Sequence, residues 1–221
     1  MSEDRETRER VLKAAKRLFS ERGFKRVTVR EICKAARANV ASVNYHFGDK
    51  LGLYREVIQS ATDVMRVTTE AAQAAGRGQP PEEQLRRFIG IFLHRLLSPK
   101  HDVEHQLFHR EMHDPTPALD TIVEDGIRPR LAYLSDIVAR MIGCDPSHEA
   151  VLRTVASIQA QAIAYLPNPI AARLGFPIKP TQARINQAAE HIARFSVAGV
   201  YAVGRSLEGS HRTQWPPGNT R

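Results

Sequence analysis

The apolar residues of this chain recur at intervals of three and four over most of its length, and that period leaves room for little but helix. Val11, Leu12, Ala15, Leu18 and Phe19 stand at i, i+1, i+4, i+7 and i+8, one stripe on a helix of 3.6 residues per turn. Leu85, Phe88, Ile89, Phe92, Leu93, Leu96 and Leu97 form the sharpest such stripe. No stretch alternates polar with apolar residues long enough to argue for a strand, and no segment repeats. The spacing predicts helices over 4–22, 28–36, 40–46, 49–75, 85–97, 101–113, 118–142, 148–165 and 182–206, an all-α chain of about nine helices. GRGQPP (76–81) reads as a loop, and Ser98-Pro99 and Asp114-Pro115-Thr116-Pro117 bracket the helix over 101–113. Pro129 lies inside the helix over 118–142 and predicts a kink there. A Pro-rich loop follows from Leu166 to Pro180, and the aperiodic segment 208–221 is expected to be mobile.

Several classes of protein are excluded at this point. No run approaches the roughly 18 apolar residues of a membrane span, and the charged start MSEDRETRERVLK lacks the apolar core of a signal peptide. Cys33 and Cys144 lie 111 positions apart, with neither a disulfide framework nor zinc-ligand spacing. The expectation is a cytoplasmic protein with no membrane association. Charge is spread unevenly. Residues 1–55 hold 14 Lys and Arg against 7 Asp and Glu, whereas residues 56–221 hold 18 against 17. Nearly all of the formal +8 therefore sits in the first quarter of the chain. A basic module on a neutral body suits a polyanion-binding head, although a basic surface that merely aids solubility has the same composition.

Within that module, Thr28-Val29-Arg30-Glu31 fits a capping box, and Val27 and Ile32 stand where a hydrophobic staple would sit. After a break at Arg37-Ala38, Asn39 is a good N-cap for a second short helix. Two short helices joined by a tight turn describe a helix-turn-helix, with 40–46 as the reader. Ala41, Ser42, Asn44, Tyr45 and His46 are small or polar enough to face a major groove, while Val43 and Phe47 anchor the helix. The competing reading makes Tyr45, His46 and Phe47 a helix end packed on the next helix.

The stretch TVREICKAARANVASVNYHFGDK (28–50) resembles the TetR family of bacterial transcriptional regulators, matching its pattern at Thr28, Ile32-Cys33, Tyr45-His46-Phe47 and Lys50. Asn44 stands where the family carries a tyrosine, and Arg37 where it favours glycine. REMHDPTPALD (110–120) and IRPRL (127–131) are similar to the CecR-like subgroup of C-terminal domains. The resemblance implies a three-helix DNA-binding head over 1–50 and an effector-binding, dimerising helical body over 51–207. It implies phosphate contacts from Thr28, Tyr45, His46 and Lys50, and base contacts from Val40, Ala41, Ser42 and Asn44, beside the capping Asn39. Arg30 is the candidate for a guanine contact. Arg37 has two outcomes: a left-handed backbone whose strain is offset by a phosphate contact, which is the expected one, or a turn reshaped by Ala38-Asn39.

Other constellations carry less. His101, His105, His109 and His113 recur every four residues, and adjacent pairs at that spacing can chelate a divalent ion. A four-residue period drifts about 40° per step, so the first and last diverge by about 120° and cannot all bind one ion. Scattered surface histidines on one amphipathic helix explain the pattern too, and no metal or cofactor is expected. Nothing resembles a phosphate loop, a GxSxG or an HExxH, and no enzyme is expected. Phe92, Phe108, His109, Met112, Tyr133 and Gln159 are candidates for an apolar effector pocket between bundle helices, against a plain core-packing role. Ala188, Ala189, Ala193, Ser196, Ala198, Gly199, Ala202 and Gly204 make the last helix rich in small residues, which suits close approach of a second subunit or of a helix of the same chain. The resulting expectation is a ligand-responsive dimeric repressor that binds a palindromic duplex operator and answers to a small-molecule effector. Alternatives are a non-specific architectural nucleic-acid binder and a metal-dependent helical enzyme.

Overall fold

The first apolar stripe forms α1 (Ser2–Arg22), and Gly23, at φ 79°, stops it by donating its N–H to the Phe19 carbonyl. In this computed structural model, which describes residues 2–166, 173–175 and 181–212, the remaining helices follow in chain order. They are α2 (Val29–Ala36), α3 (Val40–Phe47), α4 (Lys50–Gly76), α5 (Pro81–Leu96) and α6 (Asp102–His113), the last preceded by a 3-10 turn at Pro99–His101. Then come α7 (Leu119–Thr121), a π-helical segment (Ile122–Ile127), α8 (Arg128–Ile142), α9 (Glu149–Ile163) and α10 (Gln182–Arg212). Among the described residues there is no strand, and the fold is all-α as the period requires.

The segment expected as one helix over 118–142 is helical without a break from Leu119 to Ile142, with a π-helical stretch just ahead of Pro129. Proline at 129 has no N–H to donate, and its ring crowds the carbonyl four residues back. The chain answers by widening: the Arg128 N–H reaches the Val123 carbonyl, five residues back, and α-helical geometry resumes beyond. The last helix also runs past its expected end at 206, to Arg212. Most of the Pro-rich loop, at 167–172 and 176–180, and the segment 213–221 lie outside the described residues.

The described chain divides into two units. Unit 1 comprises Met1–Val67 and Ser98–Arg130, and its core is built from Val11, Ala15 and Phe19 of α1 with Ile32, Val43, Leu53, Val57 and Ile58. Leu107 of α6 and Ile122 of the π segment complete it, so residues 98–130 pack with the head helices. Burying a side chain the size of Phe19 or Ile58 is worth about 2 kcal/mol. A polar layer reinforces it. Lys16 Nζ lies 2.7 Å from the buried Glu104 carboxylate, and Arg110 of α6 caps α1 by donating to the Ser20 carbonyl at 2.6 Å and to that of Glu21. Burial alone raises the Glu104 carboxyl, but the Lys16 hydrogen bond and charge hold it below the ordinary carboxylate value.

Unit 2 comprises Thr68–Leu97 and Leu131–Arg221, and α10 packs along α5 and α9. Its core joins Phe88, Phe92, Leu134, Ile137, Val155, Ile158 and Ile192. Ala188, Ala189, Ala193, Ser196 and Gly204 are buried there, which assigns more than half of the small residues of α10 to a crossing within the chain. Ala198 and Ala202 stay exposed, beside Phe195 (63% exposed) and Tyr201.

Candidate nucleic-acid interface

The turn and the reader helix are built by their own caps. Thr28 accepts from the Glu31 N–H at 3.3 Å, while its N–H and hydroxyl each donate to Glu31 Oε2 at 2.8 Å, a complete capping box for α2. Those hydrogen bonds, together with Arg22 at 2.8 Å, depress the Glu31 carboxyl to about 2. Arg37 then takes φ 52°, ψ 46°, the only left-handed residue other than glycine among those described. Its N–H and that of Ala38 close back on Lys34 and Cys33, the bonding pattern that ends a helix at a left-handed residue. The turn is therefore not reshaped around Arg37. Asn39 accepts through Oδ1 from the Ser42 N–H at 2.7 Å and hydroxyl at 2.9 Å, starting α3. At its far end the α4 backbone passes so close that a Cβ on Gly52 would meet the Phe47 carbonyl at 2.0 Å. Only glycine fits there.

α3 has two sides. Val43 and Phe47 are buried in the unit 1 core, while Val40, Ala41, Asn44 and Tyr45 (78% exposed) form one continuous outward arc. Ser42 and His46 flank that arc half-buried, and Arg30, Arg37 and Thr28 are exposed beside it. An outward arc of this kind on an eight-residue helix, with cations around it, is what a helix inserted in a groove needs.

Two of the expected phosphate contacts have partners already. The His46 imidazole lies with Nε2 3.2 Å from the Asp4 carboxylate, its side chain only 8% exposed, between the Tyr45 and Phe47 rings. Lys50 places its ammonium 4.4 Å from the centroid of Phe24, where burial lowers its pKa and the charge of Glu31 opposes the drop. Sequence reasoning missed Glu3 and Asp4, which with Thr7, Asn39, Ala41, Ser42, Tyr45 and His46 line a groove of about 570 Å³ along the reader. The signal was present as two acidic residues in the first turn of α1, a placement also explained by the helix dipole.

The effector candidates fall in different units. Phe92 and Tyr133 both pack on Phe88 in unit 2, where Gln159 is half-buried. Phe108, His109 and Met112 belong to α6 in unit 1: Phe108 abuts the core, and Met112 is 70% exposed. His109 and His113 stack at 4.2 Å, and burial lowers the His105 pKa against the opposing charges of Asp102 and Glu104. Among the described residues no three His, Cys, Asp or Glu side chains are grouped to hold a metal ion. No described helix is long and apolar enough to cross a membrane.

Two family models match this chain. The model of the tetR family of bacterial regulatory proteins covers residues 11–57, and that of the C-terminal domain of the HTH-type transcriptional dual regulator CecR covers residues 81–200. The chain is 26% identical to CecR of Shigella flexneri over 169 residues, 72% of this chain and 75% of that protein. It is 32% identical over 83 residues to YttP of Bacillus subtilis, a probable HTH-type transcriptional regulator, spanning 38% of this chain and 40% of that one. Among solved structures, the flavonoid-responsive regulator FrrA aligns with a TM-score of 0.61 at 21% identity, covering 87% of this chain and 96% of its own. A TetR-like regulator from Rhodococcus sp. RHA1 aligns with a TM-score of 0.54 at 20% identity, covering 92% and 96%. Both share the fold.

Proposed function

The chain belongs to the TetR family of bacterial regulatory proteins, DNA-binding regulators of transcription rather than enzymes, and we propose that it acts as a ligand-responsive dimeric repressor on a palindromic operator. The observation that carries the reading is the outward arc of α3, where Val40, Ala41, Asn44 and Tyr45 are exposed while Val43 and Phe47 hold the helix to the core. In this reading residues 1–50 are the head. Val40, Ala41, Ser42 and Asn44 face base edges and thymine methyls, Arg30 addresses a guanine, and Asn39 holds the start of the reader. Thr28, Arg37, Tyr45, His46 and Lys50 meet the backbone, where each neutralised phosphate adds affinity without sequence information.

Residues 51–207 are the effector-binding and dimerising body. The exposed Phe195, Ala198, Tyr201 and Ala202 of α10 support pairing with a second copy, since an aromatic beside small residues allows two helices to approach closely. A dimer sets two readers about 34–36 Å apart or a multiple of it. An effector then releases the operator by its difference in affinity for two separations of the heads, and by nothing else. For the effector itself, an apolar small molecule bound beside Phe92, Tyr133 and Gln159, or beside Phe108, His109 and Met112, remains the reading. The cytoplasm, where operator DNA lies, is the proposed location.

The test is differential. Asn44→Ala should change which bases are preferred, whereas Lys50→Ala should weaken all duplexes alike and shallow the salt dependence by about one phosphate contact. Equal losses on operator and random DNA for Asn44→Ala would remove it from the reader. A duplex-independent affinity in the parent would favour the architectural alternative.

A further inference from the structure

We propose that the cleft between the end of α1 and α6 in unit 1 is a binding site for a small aromatic carboxylate. Its volume is about 460 Å³, within the range of small-molecule sites. Four basic side chains line it, Arg22, Lys25, Arg26 and Arg110, against the carboxylates of Glu111 and Asp114; Arg22 is already paired with Glu31 at 2.8 Å, which leaves Lys25, Arg26 and Arg110 to set the balance.

Three basic side chains against two carboxylates leave the cleft net positive. Glu111 is buried and its oxygens are occupied, accepting from the Tyr54 hydroxyl at 2.6 Å and from the Thr116 N–H at 3.0 Å and hydroxyl at 3.1 Å. Asp114 pairs with Lys25, but both side chains are more than half exposed, at 56% and 69%, so the pair is weak and an incoming anion can take its place. The end of α1 would ordinarily repel an anion through its free carbonyls. Here Arg110 covers the carbonyls of Ser20 and Glu21 and turns that wall positive. Arg26 makes no side-chain hydrogen bond among the described residues, so its guanidinium is available as a two-pronged donor that matches a carboxylate.

The rest of the lining includes aromatic rings. Phe24 and the buried Tyr54, 4.9 Å apart and inclined at 42°, and the stacked rings of His109 and His113 supply them. Aromatic rings pack against a planar apolar body as well as against each other. A carboxylate on a ring satisfies both the charge and the walls. His109 belongs also to one of the two effector placements proposed above, but the site rests on no DNA contact and its test needs no DNA.

The experiment is titration of the full chain with benzoate, benzamide and inorganic phosphate, followed by calorimetry and by the amide and guanidinium NMR signals of Gly23, Arg26 and Arg110. Benzoate should bind saturably with a Kd of about 1 mM or tighter and move those signals. Benzamide and phosphate should each bind at least about tenfold more weakly, since each lacks one half of the recognition. Arg26→Gln should weaken benzoate about tenfold, while Arg55→Gln, exposed on α4 and outside the cleft, should leave it unchanged. Equal binding of benzamide would overturn the charge argument, and equal binding of phosphate the aromatic one. Absence of saturable benzoate binding, or an Arg26→Gln variant that binds like the parent while its NMR spectrum stays folded, would overturn the site altogether.

Discussion

Replacing Arg37 with glycine should make the free protein more stable and its complex with DNA weaker. Arg37 sits at φ 52°, ψ 46°, a conformation that costs an L-residue about 1–2 kcal/mol and glycine nothing. Both hydrogen bonds that close the turn use backbone N–H groups, so the substitution keeps them. The side chain is exposed and makes no hydrogen bond among the described residues, so little is lost from the folded state. Against the relief stands the larger entropy of glycine in the unfolded chain, which leaves a net gain of about 1 kcal/mol. In a chain of this length that is about 3 °C in Tm. On DNA the variant loses one cation. If that cation neutralises one phosphate, the slope of log affinity against log salt falls by about 0.9, and affinity at 0.1 M salt falls about eightfold. Urea melts and fluorescence anisotropy across a salt series read both effects. A less stable variant would refute the account of the turn. An unchanged salt slope would refute the phosphate contact.

Three further outcomes follow from the same geometry. Asp4→Asn frees His46 and removes a negative charge beside the reader, and should tighten every duplex by about fivefold, the order of one exposed charge interaction; unchanged affinity would mean that the pair does not compete with phosphate. Lys16→Met leaves the buried Glu104 carboxylate without its cation and should cost about 2 kcal/mol in urea melts, with Lys16→Met/Glu104→Gln recovering part of it; additive losses would dismiss the pair. Glu31 has its pKa depressed on folding from 4.5 to about 2, so its contribution to the α2 cap is full above about 4.5 and is lost as pH falls towards 2. NMR titration of its carboxyl should show that low midpoint, and a midpoint near 4.5 would contradict the capping box.

The helices were legible because their apolar stripes persist through whole turns, and the caps because Thr28-x-x-Glu31 and Asn39 spend their polar atoms locally. The π segment was not legible, since Pro129 announces a disturbance without saying how the chain absorbs it. The division of small residues on α10 between core and surface depends on where α5 and α9 lie, which a single helix's pattern does not encode. The same holds at the reader. Its outward arc could be read from the sequence, but the pairing of His46 with Asp4 joins residues more than forty positions apart. The packing of Leu107 and Arg110 against α1 is likewise a long-range contact that no local period reveals.

The most direct test of the central claim is selection of bound sequences by the 221-residue chain from a random duplex library at about 0.15 M salt, with the parent and Asn44→Ala compared. The account predicts enrichment of a palindrome whose half-sites lie one helical turn apart, or a multiple of it, and a changed base preference within each half-site for Asn44→Ala. No enriched sequence in the parent, or the same motif in both proteins, would contradict it.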